Sequence, residues 1–235
     1  MAYPVLPGSR GTLIMPNPNT AKRSLDGARA RVSRASEHIA RLEAEAAALD
    51  WTLLIPAWLT GTFSESSKLP PIIAILIGET VYNLRAALDY LVYELAILDS
   101  GKAASRSQFP LESCEDGWNQ HEKNWLDGIS DGHKARIKDL QPFKGVIWTA
   151  TLREVSNPDK HRHLTVGRHG PSVRVTTNWS TKDQTIGPTI DKPMQLKSEV
   201  AYVISFDDST LVMATLKMLQ REVCDVIEAF DPDFK

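Results

Sequence analysis

Cysteine is nearly absent from this chain of 235 residues, which contains only Cys114 and Cys224. The two lie far apart in sequence and neither has a metal-binding neighbour, which argues against a disulfide framework and a zinc knuckle. Glycine-rich phosphate loops are missing too, because no Gly-x-Gly-x-x-Gly or Gly-Lys-Ser/Thr string occurs. We therefore expect a reducing, cytoplasmic setting and no metal or other cofactor.

Long apolar runs are also lacking. The longest, from Leu69 to Ile77, falls far short of the roughly 20 residues that a membrane span needs. The opening residues have no basic start followed by an apolar stretch, so the plan of a secretion signal is missing. A net charge of −2 and a pI near 6.3 are unlike those of a protein whose whole surface holds nucleic acid or anionic lipid. We expect no membrane partner, although a local basic patch fits these values.

An apolar content of 42% and a charged content of 24% are typical of one large globular domain. We predict an extended arm at residues 1–18 and a single helical domain at residues 19–235. The predicted fold class is α+β and predominantly α, with a helical bundle and a small antiparallel β-sheet.

The segment from Thr20 to Leu49 carries a heptad pattern. Its apolar residues recur at alternating steps of three and four from Leu25 onward, as in helices that bury one side. The preferred interpretation packs this seam inside the same chain. The alternative uses it for a homodimer, although three to four heptads are near the minimum for a coiled coil.

Two other apolar stripes predict a long helix from Pro71 to Ser100 and a closing helix at about residues 208–230. Three short helices are expected between them, near residues 115–126, 131–140 and 146–156, with Ser130 as the cap of the second. From about residue 163 to 206 the period changes to alternation. With a turn at His169–Pro171, this alternation predicts a β-meander.

The long helix carries a polar edge formed by Glu79, Asn83, Arg85 and Asp89. Glu79 and Asn83 are one helical turn apart, as are Arg85 and Asp89. One interpretation makes this edge part of a functional site. The structural alternative is an ion pair between Arg85 and Asp89, with Glu79 or Asn83 bonded to a neighbouring segment.

A second polar cluster lies where the third short helix should end and the strands begin. It consists of Asp159, Lys160, His161, Arg162 and His163. Its basic residues could hold an anion or phosphate despite the acidic total charge. The alternative is a solvated charge run with one structural pairing to the long helix. A metal site of His161 and His163 would need carboxylates from elsewhere, and two histidines are a weak signal.

Two strings carry a family resemblance, Gly-Glu-x-x-x-Asn-Leu-Arg-x-Ala-Leu-Asp at residues 78–89 and Asp-Lys-His-Arg at residues 159–162. With them the chain resembles a family of uncharacterised bacterial and phage-borne proteins. More distantly, the helical part is similar to HEPN domains, which are helical bundles often found as metal-independent ribonucleases. That resemblance implies an arginine and a histidine, with four to six residues between them, that act on the RNA backbone. Arg162 and His169 have this separation, although Gly167 places them off a helix.

The resulting hypothesis is a HEPN-like protein that binds, and in its stronger form cleaves, RNA or another phosphate-bearing ligand. His161 would be the general acid or base, Arg85 or Arg162 the phosphate clamp, and Glu79 or Asp89 the orienting carboxylate. The ligand-binding residues would be Asn83, Asp159, Lys160 and His163. The rival hypothesis is a non-catalytic interaction protein of a phage or mobile element that self-associates through the 25–49 helix.

Overall fold

The computed structural model describes residues 24–49, 69–102, 106–156, 167–173, 200–206 and 210–235. These residues form six α-helices and two short 3-10 helices, at Pro142–Lys144 and Asp231–Phe234. The α-helices are α1 (Asp26–Ala47), α2 (Pro71–Ser100), α3 (Glu115–Trp125), α4 (Asp131–Asp139), α5 (Ile147–Val155) and α6 (Val212–Phe230).

The apolar seam of α1 packs against α2 and α6, and these three helices build most of the core. Six seam residues are buried, namely Leu25, Ala28, Val32, Ala35, Ile39 and Leu42. The small alanines let the neighbouring helix axes approach closely. Within the described residues the seam is therefore taken up by contacts inside the chain, as in the preferred interpretation of the heptad pattern.

Helix α2 passes through the middle of this bundle. Pro71 occupies its first turn, where the missing N–H costs no hydrogen bond, and Gly101 ends it in the left-handed conformation with φ 73°. Its apolar stripe, which includes Leu84, Leu88 and Leu91, is fully buried. By length and composition α2 is also apolar enough to cross a membrane, but half of the relevant window is buried inside the protein. A core helix of a water-soluble bundle gives the same signal.

The short helices pack around this core. Ser130 caps α4, as predicted, because its side chain accepts the N–H of His133. Helix α5 contacts α6, α2 and the 3-10 helix that precedes it.

The predicted fold class was wrong. Between residues 163 and 206 the described residues contain a ladder of only two antiparallel strands, β1 (Gly167–Val173) and β2 (Val200–Ser205). The turn predicted at His169–Pro171 lies inside β1, where the register is irregular between His169 and Ser172. Two strands do not form the sheet layer of an α+β fold. The described residues therefore form a helical bundle. The prediction failed because an alternating pattern indicates extended backbone but not the number of strands that pair.

Two predicted features lie wholly outside the described residues, the arm at residues 1–18 and the Asp159–His163 cluster. Residues 163–166 and 174–199 of the predicted β-meander lie outside them as well.

The buried seam predicts a large cost for truncating its centre. Replacing Ile39, which is 5% exposed, with Ala should lower the free energy of unfolding by about 2–4 kcal/mol, because it leaves a cavity between helices. The matched control is Ile75→Ala on the exposed side of α2, which should change it by less than about 0.5 kcal/mol. Urea denaturation followed by circular dichroism measures both. An unfolding midpoint that depends on protein concentration would instead place the seam between two chains.

Candidate functional site

A polar edge runs along the contact between α1 and α2. Gly27 of α1 packs against Tyr90 of α2, and further along α1 His38 meets Glu79, so the two helices are antiparallel. Arg31 lies between these contacts and donates from Nη1 to Asn83 Oδ1 at 3.3 Å. We call Arg31, His38, Glu79 and Asn83 the α1–α2 edge.

Asn83 is buried, and its amide is bonded at both ends, to α1 through Oδ1 and to its own helix through Nδ2. Its Oδ1 accepts from Arg31, while its Nδ2 donates to the backbone carbonyl of Glu79 at 2.8 Å. Because a buried amide needs partners for its polar atoms, these bonds fix the orientation of Asn83. They also hold the Arg31 guanidinium one helical turn away from the Glu79 side chain.

His38 and Glu79 form the other half of the edge. His38 Nδ1 lies 3.3 Å from Glu79 Oε2, and the imidazole is 10% exposed whereas the carboxylate side chain is 51% exposed. The contact is at ion-pair distance and involves Nδ1, so Nε2 is the ring nitrogen left for proton transfer. The pair thus has the composition of an oriented general acid or base.

The aromatic ring of Tyr90 packs against the guanidinium of Arg31. The Arg31 guanidinium lies over the Tyr90 ring at 5.5 Å from the ring centre, a cation–π distance. The ring can lie there because position 27 is glycine: a Cβ at this position would come within 2.8 Å of Tyr90 Cδ1. Both described contacts of Arg31, with Asn83 and Tyr90, are therefore with neutral groups.

Arg85 and Asp89 form a separate cluster with the segment around Phe109. Arg85 donates from Nη2 to the Phe109 carbonyl, and Asp89 Oδ1 accepts the Phe109 N–H at 2.8 Å. Arg85 Nε lies 3.8 Å from Asp89 Oδ1, which is the ion pair of the structural alternative. Burial lowers the pKa of Arg85 and raises that of Asp89, and each charge partly offsets the shift of the other.

This cluster has little capacity for a phosphate. The negative charges of Asp89 and Glu112 both act on Arg85, so two carboxylates face one guanidinium. Arg85 Nη1 is buried with no hydrogen-bond partner in the described part of the chain. The geometry is that of a clamp that ties α2 to the Phe109 segment.

The predicted polar edge of α2 is consequently divided. Glu79 and Asn83 meet α1, whereas Arg85 and Asp89 meet the Phe109 segment on a face about 120° away. The predicted second half of the site, Asp159, Lys160, His161, Arg162 and His163, lies outside the described residues. The four α2 residues thus do not form one shared site.

The sequence analysis missed Arg31 and His38. Six residues separate them, which is within the four-to-six spacing that the HEPN resemblance implies, and two helical turns bring them to the same side of α1. The apolar seam dominates the sequence pattern of α1 and obscures this polar pair. The spacing could have identified the pair, but its α2 partners could not be known without the packing.

In the described ranges no group of three or more histidine, cysteine, aspartate or glutamate side chains is arranged to hold a metal ion. No family model, curated protein or solved structure matches the chain. The family resemblance therefore stays a prediction, and the geometry of the α1–α2 edge is the basis for the proposed function.

The clamp formed by Arg85 and Asp89 on the Phe109 segment predicts a stability loss that depends on pH. Replacing Arg85 with Met should lower the free energy of unfolding by about 2 kcal/mol at pH 7, because the partly buried Asp89 carboxylate loses its countercharge. Burial already raises the pKa of Asp89, and loss of Arg85 raises it further. A raised folded-state pKa makes the charged form costly above it, and the cost disappears as the pH falls through it. The loss should therefore be smaller near pH 4.

Urea denaturation at both pH values measures this effect. Arg41→Met is the matched control, because Arg41 is 62% exposed and pairs only loosely with Glu45, at 3.6 Å. It should change stability by less than about 0.5 kcal/mol at either pH. Equal losses for Arg85→Met at pH 4 and pH 7 would contradict the clamp.

Proposed function

We propose that this protein binds RNA at the α1–α2 edge and cleaves the RNA backbone without a metal ion. The observation that supports the proposal is the convergence of Arg31 and His38 from α1 on Asn83 and Glu79 of α2. The pair also has the spacing implied by the resemblance to HEPN ribonucleases. Here Arg31 takes the role predicted for Arg85 or Arg162, and His38 takes the role predicted for His161.

Arg31 is the phosphate clamp in this proposal. A guanidinium has five N–H donors and stays charged, so it can bind two phosphate oxygens at once. Asn83 takes one bond from Nη1 and Tyr90 covers one face, which leaves other donors for a ligand. Because these neighbours are neutral, the positive charge of Arg31 is less compensated than that of Arg85, which faces two carboxylates.

His38 is the proton-transfer group. Glu79 engages Nδ1, so Nε2 accepts the proton of a ribose 2′-hydroxyl. The 2′ oxygen then attacks phosphorus, the bond from phosphorus to the 5′ oxygen breaks, and water supplies a proton to the leaving oxygen. The products are a 2′,3′-cyclic phosphate and a 5′-hydroxyl.

The distances along α2 suit phosphate binding by Arg31 and proton transfer by His38 at the same phosphodiester. Asn83 and Glu79 are one turn apart, which places their Cβ atoms about 5–6 Å from each other. The guanidinium and the imidazole that they hold can therefore address the oxygens and the neighbouring ribose of one phosphodiester. Arg31 would stabilise the charge that develops on the phosphate during attack.

A non-catalytic interaction protein is the second candidate, again in a phage or mobile-element setting. It is favoured by the fact that Arg31 and His38 already have partners within the chain and that the His38 imidazole is only 10% exposed. Residues that merely lock α1 to α2 would have the same contacts. The two candidates differ in what happens to RNA, not in the fold.

Incubation with 5′-labelled single-stranded RNA in EDTA distinguishes them. Native protein should retain and cleave the RNA, His38→Ala should reduce the cleavage rate by about 100-fold or more, and Arg31→Ala should weaken retention. His121→Gln is the matched control: it removes a different histidine–carboxylate contact, that of His121 with Glu112 at 2.8 Å, and should leave cleavage unchanged.

Circular dichroism verifies that each variant is folded. Retention without cleavage would support binding and remove the catalytic step. Intact, unretained RNA with native protein would overturn the proposal in favour of the second candidate.

A further inference from the structure

His133 lies where α2, α4 and the 3-10 helix Asp231–Phe234 meet, away from the α1–α2 edge. Its Nδ1 is 2.7 Å from Asp99 Oδ2 at the end of α2, and its Nε2 is 3.6 Å from Asp233 Oδ2 in the 3-10 helix. The imidazole and the Asp99 side chain are each 14% exposed. Each ring nitrogen thus faces a carboxylate on a different element.

Each element that packs around His133 places a polar or aromatic group near its ring. From α4, the Ser130 hydroxyl lies 3.1 Å from Nδ1 and the Ser130 N–H donates to Asp99 at 2.8 Å. Arg136 of α4 pairs with Asp233 at 2.5 Å and donates to the Ala229 carbonyl of α6 at 2.7 Å. From α6, the Phe230 ring lies beside the imidazole and beneath Arg136.

This geometry excludes two familiar uses of such residues. A Ser–His–Asp nucleophile needs serine and aspartate hydrogen-bonded at opposite ring nitrogens. Ser130 and Asp99 share Nδ1, and Asp233 at Nε2 is 3.6 Å away, beyond hydrogen-bond distance, and pairs with Arg136. A single metal ion cannot bind both carboxylates together with one ring nitrogen, because Asp99 and Asp233 lie at opposite nitrogens. What remains is the ability of the ring to carry one or two protons.

We propose that His133 is a proton-operated latch that holds the 3-10 helix Asp231–Phe234 to α2 while the imidazole is charged. The imidazolium has an N–H at both nitrogens and attracts both carboxylates. The neutral ring keeps its single proton at Nδ1 for Asp99, where the contact is short, and then turns a lone pair toward Asp233. Loss of the proton therefore ends the attraction at Asp233 and leaves Arg136 as its remaining ionic partner there.

The surroundings of Asp99 agree with this scheme. Burial raises the pKa of its carboxyl, but the hydrogen bonds from His133 and Ser130 outweigh burial and bring the pKa below its ordinary value. Asp99 therefore keeps its charge as the pH falls toward the acid range. The latch should tighten as the pH decreases and the imidazole gains its second proton.

Amide hydrogen exchange in the full chain tests the latch. Protection factors for the amides of Asp231, Asp233, Phe234 and Lys235, corrected for the intrinsic effect of pH, should be roughly fivefold higher at pH 5.5 than at pH 8. In His133→Gln, whose side chain cannot gain a charge, the protection factors should be low and equal at both pH values. His121→Gln alters the other histidine–carboxylate pair named above and should keep the native difference.

A second variant guards against misfolding of His133→Gln. Asp233→Asn leaves the contact between His133 and Asp99 in place and should also abolish the pH difference. The proposal is overturned if native protection does not change between pH 5.5 and pH 8, or if His133→Gln keeps the change.

Discussion

The burial of the α1 seam against α2 is the constraint on which the rest of the structure depends. Six apolar side chains spaced along α1 meet the stripe of α2 and set the antiparallel register of the two helices. A buried stripe covers only part of a helix, so the residues beside it must lie at the border with the neighbouring helix. Arg31 and His38 occupy that border, and the register sets which α2 residues they meet.

Helix α2 has polar clusters on two sides. The two clusters differ in how far neighbouring groups compensate the charge of the arginine. Arg85 is surrounded by carboxylates and by the Phe109 backbone, so its charge is used in holding the fold together. Arg31 is held by an amide and an aromatic ring, which orient the guanidinium without neutralising it. A cation in the first setting stabilises a loop, whereas a cation in the second can still attract an anion. This difference supports the proposal that a phosphate-bearing ligand binds at the α1–α2 edge.

Much of the helical fold could be predicted from periodicity. Local sequence patterns were enough to predict the seam of α1, the start of α2 at Pro71 and the Ser130 cap. The sheet could not be predicted in the same way, because alternation at residues 163–206 gives an extended backbone and says nothing about pairing. Of the site, the sequence identified Glu79 and Asn83 but grouped them with Arg85 and Asp89. Only packing shows that the pairs face different neighbours.

The α1–α2 edge and the His133 latch lie at different levels of one long helix. Glu79 and Asp99 are 20 residues apart on α2, which corresponds to about 30 Å along its axis. Charges at that separation are screened in physiological salt, where the Debye length is about 8 Å. A proton on His133 therefore cannot act on His38 through its field, and any coupling has to pass through the position of α2 itself. Since the apolar face of α2 is buried along its length against α1 and α6, the helix moves as part of the core. The α1–α2 edge and the His133 latch should consequently act independently of each other.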